Sequence, residues 1–206
     1  MNLFRLLILS LVVTGFVEGS EKGLERLMQG NQRYVSGNLK HPNRSIERRE
    51  ALTTKQEPFA IIVGCSDSRV APEIIFDEGI GDLFVVRVAG NVIGPLELNS
   101  IEFAALVLKS STLLVLGHEN CGAVQAVVDG NTEGIPAIAK LIQPSVAKAR
   151  KQGSKHLLER AIKDNAVHMK NELLRNPHIR KLVDEQQLTV YAGYYNLESG
   201  KVEILN

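Results

Sequence analysis

Three short apolar runs constrain this chain more than any other feature. FAIIVG (59–64), LFVVRVAG (83–90) and STLLVLGH (111–118) are apolar at nearly every position, not at every second one. A strand of that kind has no face to give to water, so it belongs in a sheet covered on both sides. The stretches between and after them read as helices, at 98–109, at 121–129 and over about 155–175. This alternation predicts an α/β fold: a single domain whose central sheet is mostly parallel and flanked by helices. The tail LTVYAGYYNLESGKVEIL reads as two strands turning at Glu198-Ser199-Gly200, a hairpin closing one edge of the sheet.

The amino terminus has a different character. Arg5 precedes an apolar stretch from Leu6 to Val17, broken only by Ser10, Thr14 and Gly15, and Val17-Glu18-Gly19 offers a cleavage site. Residues 1–19 are therefore expected to be a signal peptide, which implies a periplasmic or secreted mature protein. Retention of these residues would mean a cytoplasmic one. The apolar run falls short of a membrane span, so no stable insertion of the mature chain is expected. Residues 20–57 are polar, with a sparse stripe of Leu24, Leu27 and Tyr34, a linker at 41–45 and a second short helix near 46–54. They read as a helical arm, and residues 58–206 as the α/β domain proper, one domain with the arm.

Charge narrows the partners. Lys and Arg number 24 against 23 Asp and Glu, so nothing draws the chain toward nucleic acid. The segment RSIERRE (44–50) mixes signs and reads as a solvated face. A dinucleotide-binding α/β domain is a poor fit, because the glycines at 64, 79, 81, 90 and 94 lack the required spacing.

Ligands of parallel sheets gather beyond the carboxyl ends of the strands. There, Cys65 follows the first run in GCSDSRV, His118 ends the third, and Cys121 lies three residues on in GHENCGAV. Two thiols and an imidazole at neighbouring strand ends form a zinc-type ligand set with a fourth position to fill. Two buried core thiols beside an unrelated histidine, or a Cys65–Cys121 disulfide, are the competing readings. Asp67 and Arg69 follow Cys65 directly; the guanidinium can grip the carboxylate, which could itself coordinate the ion or take a proton, or the pair could only fix the turn. The residues alone thus point to a zinc hydrolase or hydratase with a movable fourth ligand.

At these residues the chain resembles the β-class carbonic anhydrases. The resemblance is carried by PFAIIVGCSDSRVAPEIIFDEGIGDLFVVRVAGN (58–91), SIEFA (100–104), VLGHENCGAV (115–124), NPHI (176–179) and GYYNLESGKV (193–202). It implies reversible, zinc-dependent hydration of CO2 to bicarbonate and a proton. By that resemblance Zn2+ is held by Cys65, His118 and Cys121, and Asp67 pairs with Arg69 when the site is open or becomes the fourth ligand when it is closed. Gln56 matches an amide that hydrogen-bonds CO2 or bicarbonate, Phe84 and Ala89 match the lining of the CO2 pocket, and Gly122 supplies a backbone group near the substrate. Phe103 stands where some members carry Tyr, which removes a hydroxyl. The family further implies a homodimer or higher homo-oligomer whose N-terminal helices pack on a neighbour. Regulation by bound bicarbonate uses a Trp in some members, and this chain has none. A related lyase or hydrolase acting on CS2 or COS, and a non-catalytic zinc protein of the same fold, are the alternatives.

Overall fold

The computed structural model describes residues 22–153 and 155–206. The expected signal peptide, residues 1–19, lies outside the described residues.

Alternation along one strand sets the layers. In β1 (Ala60–Gly64), Ile61 and Val63 join the core on one side of the sheet, and Ala60 and Ile62 join the core on the other. Every one of these side chains is buried, as expected of a strand apolar throughout. β2 (Leu83–Arg87), β3 (Thr112–His118) and β4 (Thr189–Tyr195) run parallel to β1, and β5 (Val202–Leu205) returns antiparallel along β4. The order is β2-β1-β3-β4-β5, so the tail hairpin closes one edge as its sequence indicates.

The larger core lies under α4 (Pro95–Glu102), α5 (Gly122–Asp129), α6 (Pro136–Lys151), α7 (Leu157–Arg175) and α8 (Pro177–Asp184). The smaller lies under α1 (residues 22–36) and α3 (Pro72–Ile75), where Leu27, Ile75 and Phe76 meet Leu114 and Leu116. α6 and α8 have no counterpart in the sequence reading. α6 carries Pro144 in its interior, which argues against a helix on paper, and α8 spans only eight residues. The helix expected at 98–109 starts earlier, at Pro95, and widens into a π-helical turn over Phe103–Val107.

Within the arm, α1 packs on its own chain. Gly30 permits the approach, since a Cβ there would stand 1.8 Å from the Phe76 carbonyl oxygen. Buried Asn31 donates to the carbonyls of Ile75 (3.2 Å) and Gly200 (2.8 Å) and accepts from the Val202 amide (2.9 Å). Arg33 Nε donates to Asp77 Oδ2 at 2.6 Å, and Arg26 pairs with the carboxylate of Glu78. α2 (Ile46–Ala51), capped by Ser45, buries no residue.

Candidate metal centre

The sheet delivers three ligands to one point. β1 ends at Gly64 and β3 at His118, neighbouring strands in parallel register, so Cys65 and His118 emerge at the same end. Cys121 follows one turn later, immediately before α5. The Cys65 and Cys121 sulfurs and a His118 ring nitrogen all lie within 4.8 Å of one another. Their residues are 4%, 0% and 0% exposed.

Local chemistry prepares each atom. His118 Nδ1 lies 2.8 Å from the Glu119 carbonyl oxygen; donating its proton there leaves the Nε2 lone pair toward the cluster. Nε2 is buried without any hydrogen-bond partner. A buried orphan of this kind is costly, and a metal ion would satisfy it. The two thiols are free, and their environments push them in opposite directions. Donation from Cys121 holds the Cys65 thiol well below its ordinary value against the opposing effect of burial, helped by His118 and the Gly90 and Asp67 backbone amides. Cys121 is pushed up by that same partnership and by burial. Two free buried thiols and an imidazole around one point suit a zinc-type dication rather than a structural disulfide.

Asp67 stands beside the cluster under firm restraint. Arg69 Nε donates to Oδ1 at 2.9 Å, a terminal guanidinium nitrogen donates to Oδ2 at 2.7 Å, and the Arg69 backbone N–H donates to Oδ1 at 2.9 Å. These bonds, the guanidinium's first, hold the carboxyl well below the usual carboxylate range. Oδ2 remains 3.9 Å from His118 Nε2, so the carboxylate borders the ligand set.

Sequence reasoning missed two participants. Arg87, the last residue of β2, donates from Nε to the Cys65 carbonyl (2.9 Å) and from a terminal nitrogen to the Asp67 carbonyl (2.6 Å). A charged residue ending an apolar strand was the available signal. The Gly90 N–H donates to the Cys65 sulfur at 3.2 Å, and nothing in the sequence announces that bond.

The candidates for the substrate side divide. Gly122 opens α5 directly after Cys121, and Ala89 precedes Gly90 in the 3-10 turn Ala89–Asn91, so both adjoin the cluster. Phe84 does not. It pairs with Ile61, three positions before the Gly64–Arg87 row, which places it about 10 Å back along the sheet. Its ring meets Phe103 with centroids 6.4 Å apart. Gln56 is exposed and precedes β1 at the opposite end of the sheet, where Phe59 N–H bonds the Asp82 carbonyl and Ser110 Oγ bonds the Pro58 carbonyl. Its own cluster is beyond its reach.

Among the described residues no helix is long and apolar enough to cross a membrane. Residues 60–202 match the family model described as Carbonic anhydrase. The chain is 42% identical over 189 residues to a carbonic anhydrase of Mycolicibacterium smegmatis, covering 86% of this chain and 89% of that one. It is 39% identical over 183 residues to carbonic anhydrase 2 of Mycobacterium tuberculosis, covering 85% and 87% respectively. The fold superposes on the β-carbonic anhydrase CcaA with a TM-score of 0.70 at 26% identity, covering 89% of this chain and 95% of that one. A tetrameric β-carbonic anhydrase of Sordaria macrospora gives a TM-score of 0.69 at 26% identity, over 77% and 85%. Ligand chemistry, fold and sequence agree, and the chain belongs to the β-class carbonic anhydrases, zinc-dependent enzymes of reversible CO2 hydration.

Proposed function

We propose that Arg69 holds Asp67 off the metal, and that this restraint is what makes the centre catalytic rather than closed. Cys65, His118 and Cys121 would hold zinc, which would supply the Lewis acidity that lowers the pKa of water, the chemistry for which carbonic anhydrases are the standard example. The chain's own residues do the rest. Asp67 stays ionised because Arg69 grips both its oxygens, and its remaining lone pairs can accept a hydrogen bond from the attacking water and orient it. Arg87 fixes the carbonyls on either side of that loop, so Asp67 is held in direction as well as charge. Ala89 offers an apolar wall to CO2, and the first amides of α5, beginning at Gly122, point positive partial charge toward the developing bicarbonate.

The position of Gln56 supports assembly. An amide at the amino end of the sheet can serve a centre at the carboxyl end only if a second copy presents it. Phe84 and Phe103 belong to the same argument: Phe103 is 47% exposed, and Leu96 and Val107 nearby in sequence are 79% and 60% exposed. The active form is therefore a homodimer or a larger homo-oligomer. Residues 1–19 are a cleaved export signal in this reading, and the mature enzyme works outside the cytoplasm.

The observation that carries the proposal is the unpartnered His118 Nε2 facing two thiols beside a restrained carboxylate. Stopped-flow CO2 hydration by the purified chain tests it. Activity should vanish on zinc chelation and return with zinc; activity indifferent to the metal would refute it.

A further inference from the structure

The buried residues of α7 are apolar except for Asp164, which pairs with Lys148 and Arg160, and Asn165. Ala161, Ile162, Ala166, Met169 and Leu173 are buried there, and among them Asn165 is 0% exposed. A buried amide among aliphatic side chains is costly unless its hydrogen bonds are made. Asn165 makes them in one direction: Nδ2 donates to the Gly90 carbonyl at 2.9 Å, while Ser145 Oγ of α6 donates to its Oδ1 at 3.5 Å.

Gly90 is the residue whose N–H reaches the Cys65 sulfur at 3.2 Å. Its backbone is left-handed, with φ +74°, and Asn91 follows at φ +46°. Gly and Asn are the residues that accept left-handed backbone, and surrounding contacts fix the orientation of this turn. Ile142 presses from one side, since a Cβ on Gly90 would stand 2.8 Å from its Cδ1. Asn165 grips from the other.

We propose that Asn165 is a positioning residue for the metal centre, holding the Gly90 turn so that its N–H points at the Cys65 sulfur. The relay runs from Ser145 through Asn165 and Gly90 to Cys65, across α6, α7 and the strand-end turn. Its effect is positional, in fixing the turn beside the Cys65 sulfur, and electronic. A donated N–H draws charge from the thiolate, so the sulfur gives less to a bound metal and the metal keeps more of its Lewis acidity. The inference rests on the reading of Cys65, His118 and Cys121 as the metal ligands.

Asn165→Ala tests it in the full chain loaded with cobalt(II), whose sulfur-to-metal charge-transfer band reports the thiolates directly. The variant should load metal and show a band shifted by stronger sulfur donation, yet bind zinc ~10–100-fold more weakly in chelator competition because the released turn no longer holds the Cys65 thiolate in ligating position, the scale for losing an outer hydrogen bond to a ligand. A role in packing alone would lower the melting temperature of the metal-free chain while leaving band and zinc affinity at wild-type values, and that result overturns the proposal. Should Asn165→Ala fail to fold, the unaltered chain decides with cadmium-113. The Gly90 amide proton should couple to the metal through the sulfur, and its absence overturns the N–H to sulfur link. A wild type that takes up no metal would instead overturn the metal centre itself, an outcome distinct from a loaded wild type matched by its variant.

Discussion

The Arg69 guanidinium and the Asp67 carboxylate meet edge to edge through two parallel hydrogen bonds of 2.9 and 2.7 Å, while Asp67 Oδ2 lies 3.9 Å from His118 Nε2. A carboxylate this close to two thiols and an imidazole is a potential fourth ligand, and the guanidinium is what competes for it. Arg69 also donates to the Asn120 carbonyl at 3.3 Å, so the gate is tied to the loop between His118 and Cys121. Under the proposed function, control of the fourth position is a contest between an arginine and a metal ion for the same oxygen.

Cys121→Ser should remove both metal and stability. Metal binding energy at such a site is also folding energy, and the buried serine hydroxyl would face Cys65 and His118 without a thiolate's charge. Elemental analysis should find zinc near one per chain in the wild type and near none in the variant. The variant's melting temperature should no longer respond to added zinc.

Asp77 and Glu78 should differ in their pH dependence although they are adjacent. Burial pushes the Asp77 carboxyl up, but Arg33 and the Lys40 and His41 amides outweigh it and hold it low. A folded pKa below the unfolded value of ~3.9 gives stability that is complete above that pH and is lost as pH falls through the folded value. Burial dominates at Glu78 and pushes it up despite Arg26, so its contribution instead declines as pH rises past the unfolded value of ~4.3. Asp77→Asn should then cost about 3 kcal/mol at neutral pH, the low end for breaking a buried pair, because Arg33 keeps 21% exposure. Glu78→Gln should cost less. Urea melts at pH 7 and pH 4 check both signs.

Assembly should be needed for activity and not only for stability. Gln56→Leu should lower CO2 hydration by ~10²-fold, the scale of losing one oriented donor, while zinc content is unchanged. Mixing Gln56→Leu with Cys121→Ser should then recover activity, because a hybrid pairs an intact metal site with an intact glutamine from the other copy. Hybrids that form and stay inactive would contradict the shared site. Phe103→Glu should shift the sedimenting species toward monomer by placing charge on an exposed apolar face.

Much of this was legible in the sequence where one signal dominated. Apolar runs without alternation gave the parallel, doubly covered sheet, and strand ends gave Cys65, His118 and Cys121. α6 was hidden because Pro144 looks like a stop, yet residues packed on both sides of it carry the helix through. The Gly90 bond to Cys65 was hidden because backbone donors leave no trace in residue type. The arm's docking on its own chain was hidden because polar residues make it: Asn31, Arg26 and Arg33 read as surface until their buried partners Ile75 O, Glu78 and Asp77 are placed. Gln56 and Phe84 matched a pocket that one chain does not bring together, since sequence order does not show at which end of the sheet a residue falls.

The gate itself can be measured most directly by zinc-edge X-ray absorption on the wild type and Arg69→Ala at matched pH, with CO2 hydration followed in the same samples. The wild type should show two sulfurs, one nitrogen and one exchangeable oxygen. Arg69→Ala should keep its zinc, acquire Asp67 as the fourth ligand, and lose hydration by ~10²-fold or more, the scale of a lost acid–base group. Asp67→Ala should keep an exchangeable oxygen at the fourth position. An arginine variant that retains zinc with an exchangeable oxygen and no Asp67 oxygen would contradict the account and leave Arg69 as a residue that only fixes the loop.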